Sequence, residues 1–141
     1  LGNPKLIIVD EPTAGLDPEE RNRFNSLLSE IGENIIVILS THLVEDVKTL
    51  CTKMAVIDKG SVLAYGKPGD FINELNGKLW QKSITKSEIP AYEEKYHMVS
   101  TQFNMGKLNI HIQSNENPDN GFEAINPGLE DAYFSILNSN K

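Results

Sequence analysis

Two adjacent carboxylates, Asp10 and Glu11, follow directly after an unbroken aliphatic run at residues 6–9. Four consecutive aliphatic residues predict a strand that is buried on both faces, as in a parallel sheet covered by helices. The acids then lie at the carboxyl end of the strand, where ligands bind in open α/β sheets. This position suits side chains that meet a metal ion and a reacting group. A solvated pair of acids that starts a loop is the alternative for so short a motif.

A second aliphatic run, Ile35–Leu39, predicts another buried strand, and His42 follows it closely. His42 therefore joins the sheet edge that carries the two acids. Between the strands, Asp17 suits a helix N-cap, with Pro18 at the first helical position and Glu20 completing a capping box. The predicted helix ends at Gly32.

The elements after His42 are shorter. A helix with an apolar face carries Glu45, Asp46 and Lys48 off that face, and a hairpin turns at Asp58–Gly60. The predicted strands of the hairpin are Met54–Ile57 and Ser61–Tyr65, and a helix at Pro68–Leu75 follows.

From Lys78 onward the sequence becomes alternating and amide-rich, which predicts a separate small α+β unit. His111 alternates with apolar neighbours, so both His111 and His97 are expected to be exposed or at an edge. Aromatic side chains in this segment could form a binding platform, but a small core is the favoured interpretation. These aromatic residues are Trp80, Tyr92, Tyr96 and Phe103.

Composition restricts the function classes. The 141 residues carry a formal net charge of -7, and no basic run is present, which disfavours nucleic acid as a main partner. The single cysteine, Cys51, excludes an intrachain disulfide and is interpreted as a core thiol in a reducing compartment. No apolar segment approaches the roughly 20 residues of a spanning helix. Because residue 1 is Leu and a strand follows almost at once, the chain is expected to be cut from a longer one.

The order of three motifs, LIIVDEP, AGLD and STH, resembles the carboxyl-terminal half of the nucleotide-binding domain of an ATP-binding cassette (ABC) ATPase. This resemblance covers residues 1–77 and implies a partial P-loop NTPase sheet with helices, hence an α/β fold. Residues 78–141, including Pro127–Asp131, resemble the small α+β accessory domain that follows cassettes of ABC-2-type and drug-exporter-like systems. Gly128 stands where that family often has a hydroxyl residue.

The resemblance implies a role for each motif residue. Asp10 matches the Walker B aspartate, which holds Mg²⁺ directly or through water, since a hard cation prefers carboxylate oxygen. Glu11 matches the general base that polarises the attacking water. His42 matches the switch histidine that contacts the γ-phosphate; a strand-end histidine with a purely structural hydrogen bond is the alternative.

The AGLD motif, residues Ala14, Gly15, Leu16 and Asp17, matches the D-loop, which lies at the dimer interface of such ATPases. Asp17 suits both this role and that of the helix cap, and the sequence does not separate the two.

Three motifs of the family are absent. The sequence contains no GxxxxGK[ST] loop, which cradles phosphates, and neither the Gln-containing loop nor the LSGGQ-like signature of the family. This chain alone is therefore expected neither to bind ATP and Mg²⁺ tightly nor to hydrolyse ATP, although an intact parent does both. The missing strand of the sheet leaves edges that invite domain swapping or oligomerisation.

The resemblance implies an ATP-binding subunit that pairs as a homodimer or with another cassette. It is expected to drive an export-type transmembrane permease at the cytoplasmic face of the membrane. A non-transport ABC ATPase that acts on nucleic acid or ribosomes is an alternative, and residues 78–141 could regulate or dimerise the cassette.

Overall fold

Two parallel strands and two helices form the first part of the chain, in a computed structural model that describes residues 3–139. Strands β1 (Leu6–Asp10) and β2 (Ile36–Ser40) pair in parallel, in register from Leu6 opposite Ile36 to Asp10 opposite Ser40. Between them runs α1 (Pro18–Gly32), and α2 (Val44–Leu50) follows β2. The parallel pairing and the helical connection agree with the predicted order of elements.

The start and end of α1 follow from its local sequence. The Glu20 backbone N–H donates to the Asp17 side chain over 2.8 Å, and the Asp17 N–H donates to the Glu20 carboxylate over 3.2 Å. This reciprocal pair is the predicted capping box, with Pro18 in the first turn. The helix ends at Gly32, also as predicted.

The prediction that β1 and β2 are buried on both faces is wrong for the described residues. One face of the pair carries exposed aliphatic side chains, of which Ile8 is 67% exposed. The helices of this unit reach the sheet from the other face, where Ile7 and Leu39 are half-buried. The exposed row consists of Leu6, Ile8, Ile36 and Ile38.

The next elements form an antiparallel hairpin and a short helix. Strands β3 (Met54–Asp58) and β4 (Ser61–Gly66) meet at a turn in which Lys59 and Gly60 have φ angles of 49° and 79°. Two successive positive φ angles match the right-handed twist of hairpin strands. Helix α3 (Pro68–Glu74) follows, so the predicted hairpin and helix are both present.

A four-stranded antiparallel sheet with the order β6-β7-β5-β8 forms the remainder. Helix α4 (Ile89–Lys95), preceded by a 3-10 turn at Lys86–Glu88, connects β5 to β6, and α5 (Leu129–Ser139) comes last. The mixed α/β class is therefore confirmed, with a parallel pair first and an antiparallel α+β segment after it. The strands of this sheet are β5 (Leu79–Ile84), β6 (His97–Asn104), β7 (Lys107–Gln113) and β8 (Glu123–Ala124).

Internal contacts divide the chain into a first unit that reaches Thr52 and a second that begins at Lys53. The second unit therefore includes the β3–β4 hairpin together with the antiparallel sheet. The domain boundary between residues 77 and 78, predicted from the change in composition and from the family resemblance, stays a prediction. No helix within residues 3–139 is long and apolar enough to cross a membrane.

The core of the second unit is built around Ile110, Ile112 and Phe122, with aromatic side chains packed against it. Tyr96 meets Phe122 edge to face, with ring centroids 5.1 Å apart, and Trp80, Tyr92 and Tyr96 all contact this core. The predicted aromatic core is thus correct for these three residues. It is wrong for Phe103, which is 76% exposed near the end of β6.

The prediction that His111 is exposed is also wrong, whereas His97 is exposed as predicted. The His111 ring lies between two acceptors: Nδ1 is 2.7 Å from Asp131 Oδ1, and Nε2 is 3.0 Å from Gln81 Oε1. The first turn of α5 brings Asp131 onto the polar face of β7, so both faces of this strand are covered. Alternation along one strand cannot reveal a later helix that covers the second face.

Asp131 joins α5 to the sheet and to the chain before the helix. Its Oδ2 accepts the backbone N–H of Gly128 over 2.9 Å, while Oδ1 contacts His111. Burial by itself raises the pKa of this carboxyl, but the hydrogen bonds from His111 and Gly128 outweigh it and hold the pKa of Asp131 below its ordinary value. The ionised form is therefore the one that stabilises this unit.

Replacing Asp131 by Ala is expected to lower the free energy of unfolding by about 1–3 kcal/mol, because hydrogen bonds to a charged group are lost. The contribution is complete above the unfolded pKa of about 3.9 and disappears as the pH falls through the lower folded pKa. Denaturant unfolding at pH 7 and at successively lower pH measures both effects. Glu130→Ala, which removes the exposed acid beside it, is the control. A difference between the two variants that does not shrink below about pH 4 contradicts the assignment.

The exposed aliphatic row of β1 and β2 predicts self-association of the 141-residue chain, since large exposed apolar patches and open strand edges favour contact between copies. The double variant Ile8→Thr/Ile38→Thr is expected to reduce association, because Thr keeps the β-branched shape and removes apolar surface. Light scattering over a range of concentrations measures it, with Phe103→Ser as a control at a different exposed side chain. A wild-type chain that stays monomeric throughout contradicts the prediction.

Candidate functional site

The parallel register brings the carboxyl ends of β1 and β2 to the same level. Asp10 lies opposite Ser40, and the Ser40 hydroxyl donates a short hydrogen bond to Asp10 Oδ1. The Glu11 backbone N–H extends the ladder by donating to the Ser40 carbonyl over 2.7 Å. The two loops that follow the strands therefore start side by side, as the sequence predicts.

Glu11 and His42 are in direct contact across these loops. Glu11 Oε1 accepts the backbone N–H of His42 over 3.0 Å and lies 2.9 Å from His42 Nδ1. The rest of the imidazole is accessible to solvent, and 73% of the His42 side chain is exposed. One carboxylate oxygen thus fixes both the backbone and the ring of His42, while the far side of the ring stays accessible to a ligand.

The conformation of Glu11 is unusual for a residue with a side chain. Its φ angle is 46°, in the left-handed region that non-glycine residues rarely adopt, and such backbone costs about 1–3 kcal/mol. Its second oxygen, Oε2, is buried without a hydrogen-bond partner among the described residues. A buried carboxylate oxygen without a donor is costly, so this atom is suited to accept a proton or a hydrogen bond from a bound molecule.

The Asp10 carboxylate suits a magnesium ion that the phosphates of a nucleotide also bind. Within residues 3–139, no group of three or more acidic, histidine or cysteine side chains forms a protein cage for a metal ion. Mg²⁺ commonly keeps several waters and takes one or two carboxylates together with phosphate oxygens from its substrate. A single carboxylate beside the Ser40 hydroxyl suits that arrangement and does not suit a resident structural metal.

The AGLD residues form an exposed turn and take no part in the contact between Glu11 and His42. The Ala14 N–H donates to the Glu11 carbonyl over 3.2 Å, and Gly15 has a φ of 79° that favours glycine. Residues Ala14 to Asp17 are all exposed. Asp17 caps α1 in the structure, whereas the role of this turn at a dimer interface stays a prediction.

A buried carboxylate in α2 is the part of the site that the sequence analysis missed. Asp46 was predicted to lie off the apolar face, yet it is only 1% exposed. Its Oδ2 accepts the Thr13 hydroxyl over 2.5 Å, and its Oδ1 accepts Arg21 Nε and Nη2 over 3.0 and 2.7 Å. A charged residue in the first turn of a short helix carries no sequence signal of burial, because its partners lie in two other segments.

The thiol of Cys51, at the end of α2, is half-buried. Burial raises the pKa of this thiol, and the negative charge of Asp46 raises it further. The thiolate that reacts with electrophiles is accordingly disfavoured at neutral pH.

The structure thus brings together Asp10, Glu11 and His42, the residues predicted for metal binding and catalysis, and keeps Asp17 in its helix cap. Their roles toward a nucleotide stay predictions. Ser40 and the group formed by Thr13, Arg21 and Asp46 are additions from the structure.

No protein-family model matches the chain, but individual known proteins are similar to it. The linearmycin resistance ATP-binding protein LnrL of Bacillus subtilis is 37% identical over 119 residues, which cover 81% of this chain and 38% of LnrL. Nod factor export ATP-binding protein I of Rhizobium etli is 42% identical over 81 residues, 55% of this chain and 25% of that protein. The chain therefore spans well under half of these relatives.

A solved structure described as an inward-facing metal-chelate type ABC transporter aligns with 77% of the chain and 39% of its own, at 22% identity and a TM-score of 0.44. That score is too low to support a structural argument.

The match to LnrL covers 81% of the chain, so it cannot lie within residues 1–77 alone and includes part of residues 78–141. Both relatives are named as ATP-binding proteins, and the motif residues Asp10, Glu11 and His42 lie together in the structure. ABC transporter A family member 7 of Arabidopsis thaliana is 28% identical over 148 residues, 93% of this chain and 16% of that protein. The resemblance stated from the sequence is confirmed: the relatives of this chain are ABC transporter and ATP-binding proteins.

Proposed function

We propose that this chain is the carboxyl-terminal part of an ATP-binding subunit that hydrolyses ATP for an export-type ABC transporter. The contact of Glu11 with His42, at the ends of two adjacent parallel strands, is the observation that carries the proposal. The relatives named for linearmycin resistance and Nod factor export support the export class. A transmembrane permease and a second cassette are the proposed partners, at the cytoplasmic face of the membrane.

Glu11 is proposed to act as general base. A water molecule between its carboxylate and the γ-phosphorus would transfer a proton to Glu11 as the oxygen bonds to phosphorus. The bond from phosphorus to the β–γ bridging oxygen breaks, and ADP leaves with that electron pair. The buried Oε2 atom, which lacks a donor among the described residues, is suited to accept this proton.

His42 and Asp10 are proposed to bind the phosphate end of the nucleotide. The exposed side of the His42 ring is accessible to a γ-phosphate oxygen, while Glu11 fixes the other side. Asp10 is proposed to hold Mg²⁺, which when bound offsets the negative charge of the phosphates. Ser40 orients the Asp10 carboxylate through its hydroxyl hydrogen bond.

In the whole ATP-binding protein, Glu11→Gln is expected to lower the rate of ATP hydrolysis by about 10²–10⁴-fold, because the amide cannot accept a proton. ATP binding is expected to persist, since the substitution keeps the size of the side chain. Steady-state phosphate release and a nucleotide-binding titration measure the two properties. Glu19→Gln is the matched control, because it makes the same change at an exposed acid of α1. Full activity in Glu11→Gln rules out this base.

The 141-residue chain by itself is expected to show no steady ATP turnover, because its sequence has no GxxxxGK[ST] loop to bind the β- and γ-phosphates. A phosphate-release assay on the purified chain with excess MgATP measures this. Turnover that Glu11→Gln abolishes would contradict the expectation, whereas turnover that survives in the variant indicates a contaminating enzyme.

A further inference from the structure

The buried carboxylate of Asp46 connects three separate segments of the first unit. Thr13 lies in the loop after β1, Arg21 in α1, and Asp46 itself in α2 after β2. Both carboxylate oxygens are used, one by the Thr13 hydroxyl and the other by two nitrogens of the guanidinium. Because each oxygen accepts from a different segment, the position of Asp46 fixes all three.

Such a group is not explained by stability alone. Asp46 is removed from water while the Arg21 side chain stays 29% exposed. Burying a carboxylate is expensive, and an ion pair that compensates for it is often no more stabilising than well-packed apolar residues of similar volume. Its hydrogen bonds are directional, however, and a paired guanidinium and carboxylate hold a defined geometry. The network of Asp46 is therefore better suited to set positions than to add free energy of folding.

Two of the segments that it joins lie next to the candidate catalytic residues: the loop after β1 contains Glu11, and α2 begins two residues after His42. Thr13 follows Glu11 by two residues, and Asp46 follows His42 by four. Three successive side-chain contacts join the end of β1 and the loop after it to the end of β2 and the residues after it: Asp10 with Ser40, Glu11 with His42, and Thr13 with Asp46. The first two links involve side chains proposed to meet the nucleotide, and only the third is fully buried.

The hydrogen bond between Thr13 and Asp46 also helps to hold the Glu11 backbone in its strained, left-handed conformation. A φ of 46° persists only where the surroundings hold the residue on both sides. On the amino-terminal side the β1–β2 ladder holds it, through the Glu11 N–H and the Ser40 carbonyl. On the carboxyl-terminal side the Glu11 carbonyl accepts the Ala14 N–H over 3.2 Å, and the buried Thr13 hydroxyl between them in the sequence donates to Asp46.

We propose that Asp46 is a positioning residue for ATP hydrolysis, which through Thr13 holds Glu11 against His42. The proposal rests on the function proposed above for these two residues. Asp46 touches neither of them directly, and Arg21 Nη2 lies 2.7 Å from its Oδ1. Loss of the Thr13 hydroxyl is expected to loosen the contact of Glu11 with His42 while the strands stay paired.

Thr13→Val tests this, since it keeps the shape of the side chain and removes the donor, and Thr13→Ser restores the hydroxyl. In the whole ATP-binding protein, Thr13→Val is expected to lower kcat about 10- to 100-fold, because small displacements of catalytic groups have effects of that size. The KM for ATP is expected to stay within about twofold, because Thr13 has no proposed contact with the nucleotide. Thr13→Ser is expected to recover most of kcat.

Leu28→Ala is the control for a purely structural effect, because Leu28 is buried in α1 and has no polar link to either loop. It is expected to lower Tm at least as much as Thr13→Val and to leave kcat within about twofold. If both variants lower kcat in proportion to the loss of Tm, Asp46 has only a structural role.

Amide hydrogen exchange provides a readout that does not depend on ATP hydrolysis. The His42 N–H donates to Glu11, so its exchange is expected to accelerate about tenfold in Thr13→Val and not in Leu28→Ala, relative to amides within β2. Unchanged exchange at His42 overturns the positioning role even if the protein is an ATPase. A wild-type protein without ATPase activity overturns the proposed function, and the exchange result then still decides whether Asp46 holds Glu11 against His42.

Discussion

Parallel pairing of β1 with β2 is the constraint on which the candidate site depends. Because Asp10 lies opposite Ser40, the loops that follow both strands leave the sheet at the same level and in the same direction. Residues that are about thirty positions apart in the sequence thereby come within hydrogen-bond distance. A shift of the register by one residue would turn Asp10 to the opposite face and separate Glu11 from His42.

The polar groups at this edge differ in how completely they are paired. Asp46 uses both carboxylate oxygens inside the protein, whereas Glu11 uses one and leaves the other buried without a donor among the described residues. Native proteins pair nearly all buried polar atoms, so an exception next to a strained backbone is typical of a functional site. The fully paired Asp46 fixes the segments around it. Glu11, which lies next to those segments, keeps one carboxylate oxygen that no donor among the described residues occupies.

Local signals predicted much of this structure, and interactions between distant segments account for what they did not predict. The capping box at Asp17 and the turn at Lys59 depend on neighbouring residues alone, so the sequence was sufficient for both. The burial of Asp46 and of His111 depends on partners 25 or more and 20 or more positions away, respectively, which no periodicity shows. The positive φ of Glu11 has no sequence signature, because glycine is the residue normally expected there.

The reactivity of the half-buried Cys51 thiol depends in part on the charge of Asp46. Its pKa is raised in part by the negative charge of that carboxylate, and Cys51 is the only cysteine in the sequence. Any change that neutralises or displaces Asp46 lowers the pKa of the thiol and increases the fraction present as thiolate. The rate at which an alkylating reagent modifies this thiol therefore depends on the charge of Asp46, a carboxylate that is itself only 1% exposed.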